Sequence, residues 1–150
     1  MPSRIVVLSG QNMGDWYEIN DNPMVFGRDE DLLAEINDCF VSNRHMKIRI
    51  NPQDQKFYIK DLDSRNGVIL NGKRIKNLVA VKDGDLIQIG YTLMVYTCEE
   101  LDRYRAVELF VARNRRRYIG LIDQLTQRRD HVLRQLNEGT NALNALTIHA

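Results

Sequence analysis

Four short motifs between residues 27 and 72 carry the side chains that could do chemistry: Gly27-Arg28, Ser42-Asn43-Arg44-His45, Asp61-Leu62-Asp63-Ser64-Arg65-Asn66-Gly67 and Asn71-Gly72. Each falls at or beside the end of a strand-like run, where a loop begins. A guanidinium, a hydroxyl and two carboxamides at one loop edge suit a phosphate ester carried on a peptide. Arginine grips phosphate through two parallel charge-assisted hydrogen bonds, and serine and asparagine add neutral donors. Nothing in the set pairs a nucleophile with a base, so no catalytic residue is assigned. The pattern points to recognition of a phosphorylated partner.

Those motifs need elements to hold them. Arg4–Ser9 is a β-branched run that ends at Gly10, Trp16–Ile19 alternates into the turn cluster Asn20-Asp21-Asn22-Pro23, and Met24–Gly27 runs into Arg28. Met46, Ile48 and Ile50 alternate with Lys47 and Arg49, as in a half-buried strand. Phe57–Asp61, Val68–Leu70, Arg74-Ile75, Leu86–Ile89 and Tyr91–Thr97 continue the series, with Asn71-Gly72 a strong hairpin signal. Short strands with turn chemistry between them close most naturally as two packed sheets. Only Asp31–Asn37 interrupts the pattern, with expected helical character.

The pattern changes at Leu101. Tyr104, Val111, Tyr118, Leu125 and Val132 recur in a strict sevenfold step, and Leu101, Val107, Leu121, Ile122 and Leu136 widen the same face. This predicts one amphipathic helix that ends near Gly139, a residue suited to a C-terminal cap. Its length points to a coiled coil or stalk, and residues 101–138 are the candidate homodimer seam. Leu143 and Leu146 lie beyond it in a weak helix or frayed tail. The charge divides at the same place: residues 1–100 hold 12 Lys+Arg against 15 Asp+Glu, and residues 101–150 hold 9 against 5. The expected organisation is a β domain over residues 1–98 and a helical extension over residues 99–150.

Composition excludes several classes. The net charge is +1, with 27% charged and 43% hydrophobic residues, which is ordinary for a globular chain and gives no overall pull toward nucleic acid or membrane. Arg113, Arg115, Arg116 and Arg117 make a basic helix face. Such faces are usually solvated, so nucleic acid is not an expected partner. The apolar runs are far shorter than a membrane span of about 20 residues. Cys39 and Cys98 are too few for a disulfide framework or a metal site. Free thiols fit a reducing compartment, and the expected location is cytoplasmic. No metal or cofactor is expected.

Taken in order, the motifs resemble the forkhead-associated (FHA) domain family over roughly residues 3–98. Gly27-Arg28, Ser42-x-x-His45, Asp61-Leu62-x-Ser64-x-Asn66-Gly67, Asn71-Gly72 and the closing Gly84-Asp85-x-Ile87-x-Ile89-Gly90 carry the resemblance. It implies an eleven-stranded β-sandwich of the SMAD/FHA-like type, an all-β fold followed here by the long C-terminal helix. It also implies a non-catalytic module that binds phosphothreonine peptides with the loops at one end. Arg28 and Ser42 would contact the phosphate, with Asn43 at the same edge and Asn66 bonding the peptide backbone. His45 would brace the binding loop from inside, which sets aside a catalytic role, and Gly27, Gly67 and Asn71 would support the loops. Arg65 stands where many members of the family have threonine and is a further candidate contact. Val68 replaces the threonine that usually follows Asn-Gly.

The expected function is therefore phosphothreonine-dependent binding of a protein or peptide in signalling, with the helix serving self-association or linkage. One alternative is a phospho-independent scaffold. Another is the sensory N-terminal fragment of a larger signalling enzyme, because Asp123-Gln124-Leu125-Thr126 followed by Arg128-Arg129 is faintly similar to the opening of diguanylate cyclase domains. The residues after it are too few to form a cyclase.

Overall fold

A computed structural model describes the chain from residue 2 to residue 149, with side chains described through residue 139. Eleven strands come first: β1 (Ser3–Val7), β2 (Trp16–Ile19), β3 (Met24–Gly27), β4 (Ala34–Glu35), β5 (Met46–Asn51), β6 (Lys56–Asp61), β7 (Val68–Leu70), β8 (Lys73–Arg74), β9 (Val79–Ala80), β10 (Leu86–Ile89) and β11 (Thr92–Thr97). Two helices follow, α1 (Tyr104–Arg117) and α2 (Ile119–His149). The sandwich is all-β, but the chain as a whole is not. Three of the strands are only two residues long.

Two sheets face each other, one in the order β2-β1-β11-β10-β7-β8 and the other β4-β3-β5-β6-β9. Strand neighbours are antiparallel except β3 and β4, which run parallel. Ile5, Phe26, Met46, Ile48, Ile87 and Met94 fill the space between the sheets and are fully buried. Burying one such side chain stabilises the fold by roughly 1.5–3 kcal/mol.

β5 follows the half-buried pattern, with Met46 and Ile48 inward and Arg49 exposed. β1 and β11 do not: every residue in both is buried. Ile5, Val7, Met94 and Tyr96 face the sandwich core. Val6, Leu8, Leu93 and Val95 face the other way and form a second core with Leu101, Val107, Phe110, Val111, Ile122 and Leu125. The continuous apolar run Ile5-Val6-Val7-Leu8 thus has the reason continuous runs usually have, a cover on both faces. Arg115 fastens the cover by donating from its guanidinium to the Leu8 carbonyl.

Three expectations change. Asp31–Asn37 is not helical: Ala34 pairs with Phe26 in parallel register, and Ala34 and Ile36 are both fully buried. Their two-residue spacing serves a strand, and this packing overrides local helix propensity. The single long helix is interrupted at Tyr118, where φ is −111° and ψ is 22°. One turn earlier, buried Asn114 donates from its side chain to the Phe110 carbonyl, the acceptor its own amide uses in a regular helix. The helix also continues through Gly139 to His149 rather than capping there. The side chains of Leu143 and Leu146 lie outside those described.

The sevenfold face is not a free seam. Val111 and Leu125 pack on the chain's own sheet, while Tyr104, at the start of the series, is 76% exposed. No helix among the described residues is long and apolar enough to cross a membrane.

Docked helices and a free stalk differ in how neighbouring positions respond to truncation. Phe110→Ala should lower the unfolding free energy by about 3–5 kcal/mol in urea titration, the usual cost of emptying a buried aromatic site. Exposed Leu109→Ala should change it by no more than about 0.5 kcal/mol. Equally mild effects at both positions would contradict docking.

Candidate phosphate-binding edge

The site is built where the loop after β3, the loop before β5 and the β6–β7 loop meet. Arg28 is the first residue past β3. Its backbone N–H donates to the Ser42 carbonyl at 3.0 Å, and that of Asp29 donates to the Asn43 carbonyl at 3.2 Å. The two loops lie so close that a Cβ on Gly27 would fall on the Asn43 carbonyl oxygen. Glycine is required here for close approach rather than for an unusual dihedral. The exposed Arg28 guanidinium reaches Asn43, with Nη2 3.5 Å from Oδ1.

His45 joins this pair of loops to the third. It is fully buried. Its Nδ1 accepts from the Ser42 backbone N–H at 3.0 Å, so Nδ1 carries no proton. The proton is on Nε2, which donates to the Gly67 carbonyl at 2.7 Å. The partners on each side dictate one neutral tautomer. Burial pushes the pKa of His45 below its ordinary value, against the opposing pull of the Gly67 hydrogen bond.

The third loop is equally well specified. Asp61 accepts from the Ser64 N–H at 3.0 Å, and the Ser64 hydroxyl accepts from the Gly67 N–H at 2.9 Å. Gly67 has φ 80°, and a Cβ there would lie 2.5 Å from Arg74 Nε. The Arg65 N–H donates to Ser42 Oγ at 3.0 Å, a bond that does not use the serine's own O–H as donor. Asn66 Nδ2 donates to the Phe40 carbonyl at 2.8 Å, and its Oδ1 remains an acceptor at the surface.

Arg28, Ser42, Asn43, Arg65 and Asn66 therefore come together, with Gly27, His45 and Gly67 behind them. Asn71 does not join them. It closes the β7–β8 turn at the far end of β7 from Gly67, with φ 49°. Its carboxamide donates to Asp85 Oδ1 at 3.0 Å and accepts from the Leu86 N–H at 2.9 Å, tying that turn to β10.

Two residues at this edge escaped the sequence reading. Asp38 accepts from the Phe40 N–H at 2.9 Å, the Tyr91 N–H at 2.8 Å and the Thr92 hydroxyl at 2.9 Å, so it pins the loop before Ser42 to the start of β11. Its aspartate turn was a local signal, but its partners some fifty positions away were not visible. Arg74 lays its guanidinium over Gly67.

The basic helix face, in contrast, is largely engaged. Arg113 pairs with Glu99 at 2.9 Å, Arg115 holds the Leu8 carbonyl, and Arg117 lies over the Tyr118 ring at 5.4 Å. Residues 123–126, the segment similar to a cyclase opening, lie inside α2 with Leu125 buried on the sheet.

The chain is a β-sandwich that gathers an arginine, a serine and an asparagine at one loop edge. Residues 24–90, a little under half of the chain, match the FHA domain family. Among curated relatives it is similar to the FHA domain-containing protein FhaB of Mycolicibacterium smegmatis, 30% identical over 91 residues that cover 61% of this chain and 57% of FhaB. It is also similar to the oxoglutarate dehydrogenase inhibitor of Corynebacterium glutamicum, 32% identical over 92 residues that cover 61% of this chain and 62% of that protein. The chain thus spans a little over half the length of these relatives. Among solved structures, the FHA domain of the Chlamydia trachomatis protein CT664 superposes with a TM-score of 0.62 at 25% identity, covering 67% of this chain and all of that one. An FHA domain solved in work on phosphothreonine-dependent FHA interactions gives 0.59 at 25% identity over the same shares.

The neutral imidazole makes stability depend on pH. Unfolded His45 takes up a proton near pH 6.5 while the folded ring resists it, so the unfolded state binds more protons as the pH falls. The stability linked to His45 is fully present above about pH 6.5 and is lost as pH drops from there toward the lower folded value. Urea unfolding should show His45→Gln about 1–3 kcal/mol less stable than wild type near pH 7.5, with the gap narrowing near pH 5.5. A gap that stays constant across that range would contradict the buried neutral ring.

Proposed function

We propose that this chain is a phosphothreonine-dependent peptide-binding module and that it does no chemistry on its partner. The observation that carries this is the edge itself: an exposed guanidinium at Arg28, a half-buried hydroxyl at Ser42 and a surface carboxamide at Asn66, held by backbone contacts and by His45. A phosphate dianion matches these donors, and Asn66 suits the peptide backbone beside it. Arg65 and Asn43 border the same edge. Phosphothreonine-dependent interactions described for a similar FHA domain support this reading.

The helical extension, in this account, completes the module. Its apolar face covers β1 and β11 as far as Leu125, so three of the five sevenfold positions that suggested self-association, Val111, Tyr118 and Leu125, are used internally. The sandwich over residues 1–98 and the extension over residues 99–150 work together as one binding unit. We place it in the cytoplasm, consistent with free thiols at Cys39 and Cys98.

Calorimetric titration of the full chain should detect a threonine-phosphorylated peptide and not its unphosphorylated twin. Arg28→Ala should weaken the phosphorylated complex by about 2–5 kcal/mol, the cost of removing one partner from a charge-assisted anchor. Equal binding of both peptides would contradict the proposal. Sedimentation equilibrium should return a monomer, and a dimer abolished by truncation after Leu125 would restore a self-associating tail.

A further inference from the structure

The stripe that docks α2 on the sheet changes chemistry where it reaches the phosphate-binding edge. Ile122 and Leu125 are buried against the sheet. Arg129 and Leu133 follow at four-residue steps on the same helical face. A large cation thus occupies a position in a stripe that is otherwise apolar.

Two cavities meet at Arg129. One lies where the helix is seated and is lined by Ser9, Met13, Arg115, Ile122 and Thr126 together with Arg129. The other, of about 450 Å³, is lined on the sandwich side by Arg28, Asn37, Asp38 and Thr92 and on the helix side by Arg129, Asp130 and Leu133. Its size is in the usual range for ligand pockets. The arginine expected to anchor the phosphate therefore also borders a chamber walled by α2.

The polar groups of this chamber are unequally available. Asp38 is already bound to two backbone N–H groups and the Thr92 hydroxyl. Arg129 donates from Nε at 3.3 Å and from Nη2 at 3.2 Å to a single oxygen of Asp130, its neighbour in sequence. Adjacent helix positions do not face each other, and the two side chains are 31% and 47% exposed, so the pair is weakly held. Arg129 is the cation in the chamber that an incoming carboxylate can capture.

We propose that α2 forms one wall of the partner-binding cleft, and that Arg129 selects an acidic side chain close to the phosphothreonine while Leu133 gives the adjoining segment an apolar rest. This rests on the phosphopeptide reading of the edge. The occupant is the partner's own chain on one side of its phosphothreonine. The phosphate fixes that chain at Arg28, and each further residue advances it by at most about 3.6 Å, so residues within a few positions of the phosphothreonine are within reach of the cavity that Arg28 borders.

The test uses the full chain and fluorescence anisotropy with phosphothreonine peptides in an alanine background, in which a glutamate is walked through successive positions on either side. Wild type should bind one of the glutamate peptides about fivefold more tightly than the alanine parent, the range of a single exposed charge pair. Arg129→Gln should erase that preference, and Arg129→Glu should replace it with a preference for lysine at the same position. For both variants the readout is the affinity of the glutamate or lysine peptide relative to the alanine parent, a ratio that a change in overall affinity does not move. A glutamate preference that survives both substitutions, or no preference in wild type, overturns the role of α2; if Arg28→Ala still abolishes binding, the phosphopeptide reading stands without it. Loss of all phosphate dependence in wild type overturns both.

Discussion

A single buried imidazole organises the loop end of this sandwich. His45 receives a hydrogen bond from the Ser42 backbone and gives one to the Gly67 carbonyl, which spans loops that belong to different parts of the chain. A ring with one acceptor and one donor nitrogen is what this bridge needs. Either a second proton or the other tautomer would leave a buried backbone group facing the wrong partner, and such mismatches are costly. The outward chemistry of Arg28, Ser42 and Asn66 depends on this inward chemistry. Their side chains point at nothing in the protein that would hold all three together, and the backbone behind them does that work.

The second constraint is the cover on β1 and β11. These strands are apolar on both faces, so the six-stranded sheet needs α1 and the first turns of α2 to shield Val6, Leu8, Leu93 and Val95. Once the helices are docked for that reason, the path of α2 brings Arg129, Asp130 and Leu133 beside Arg28. Stability of the sheet and the shape of the binding edge are thereby linked. A helix recruited to close a core also reaches the edge proposed to read a partner.

Much of this was legible from sequence because its causes are local. β2, β3, β7 and β10 were placed on their residues, since alternation and turn chemistry such as Asn71-Gly72 act over a few positions. Arg28, Ser42, Asn66 and His45 group together because their motifs fall at strand ends and, in order and spacing, resemble those of the FHA domain family. What escaped was set by distant partners. β4 and β9 are two-residue strands that exist only beside β3 and β6. Asp38 matters through Tyr91 and Thr92, and Arg74 through Gly67. The sevenfold series from Tyr104 to Val132 predicts an amphipathic helix and suggests a coiled coil, but periodicity is silent on what covers the apolar face, which from Val107 to Leu125 is the chain's own sheet. The uninterrupted run Ile5-Val6-Val7-Leu8 was the clue that a sheet face needed covering.

The central claim is that three loops converge on one phosphate-holding edge. The most direct measurement is a two-dimensional ¹H–¹⁵N spectrum of the full chain titrated with a phosphothreonine peptide, with arginine side-chain Nε resonances followed alongside the backbone amides. The account predicts the largest shifts at the amides of Arg28, Ser42, Asn43, Arg65 and Asn66 and at the Arg28 Nε, with the helix-covered strands β1 and β11 unchanged. Shifts centred on any other surface, with that edge silent, would contradict it.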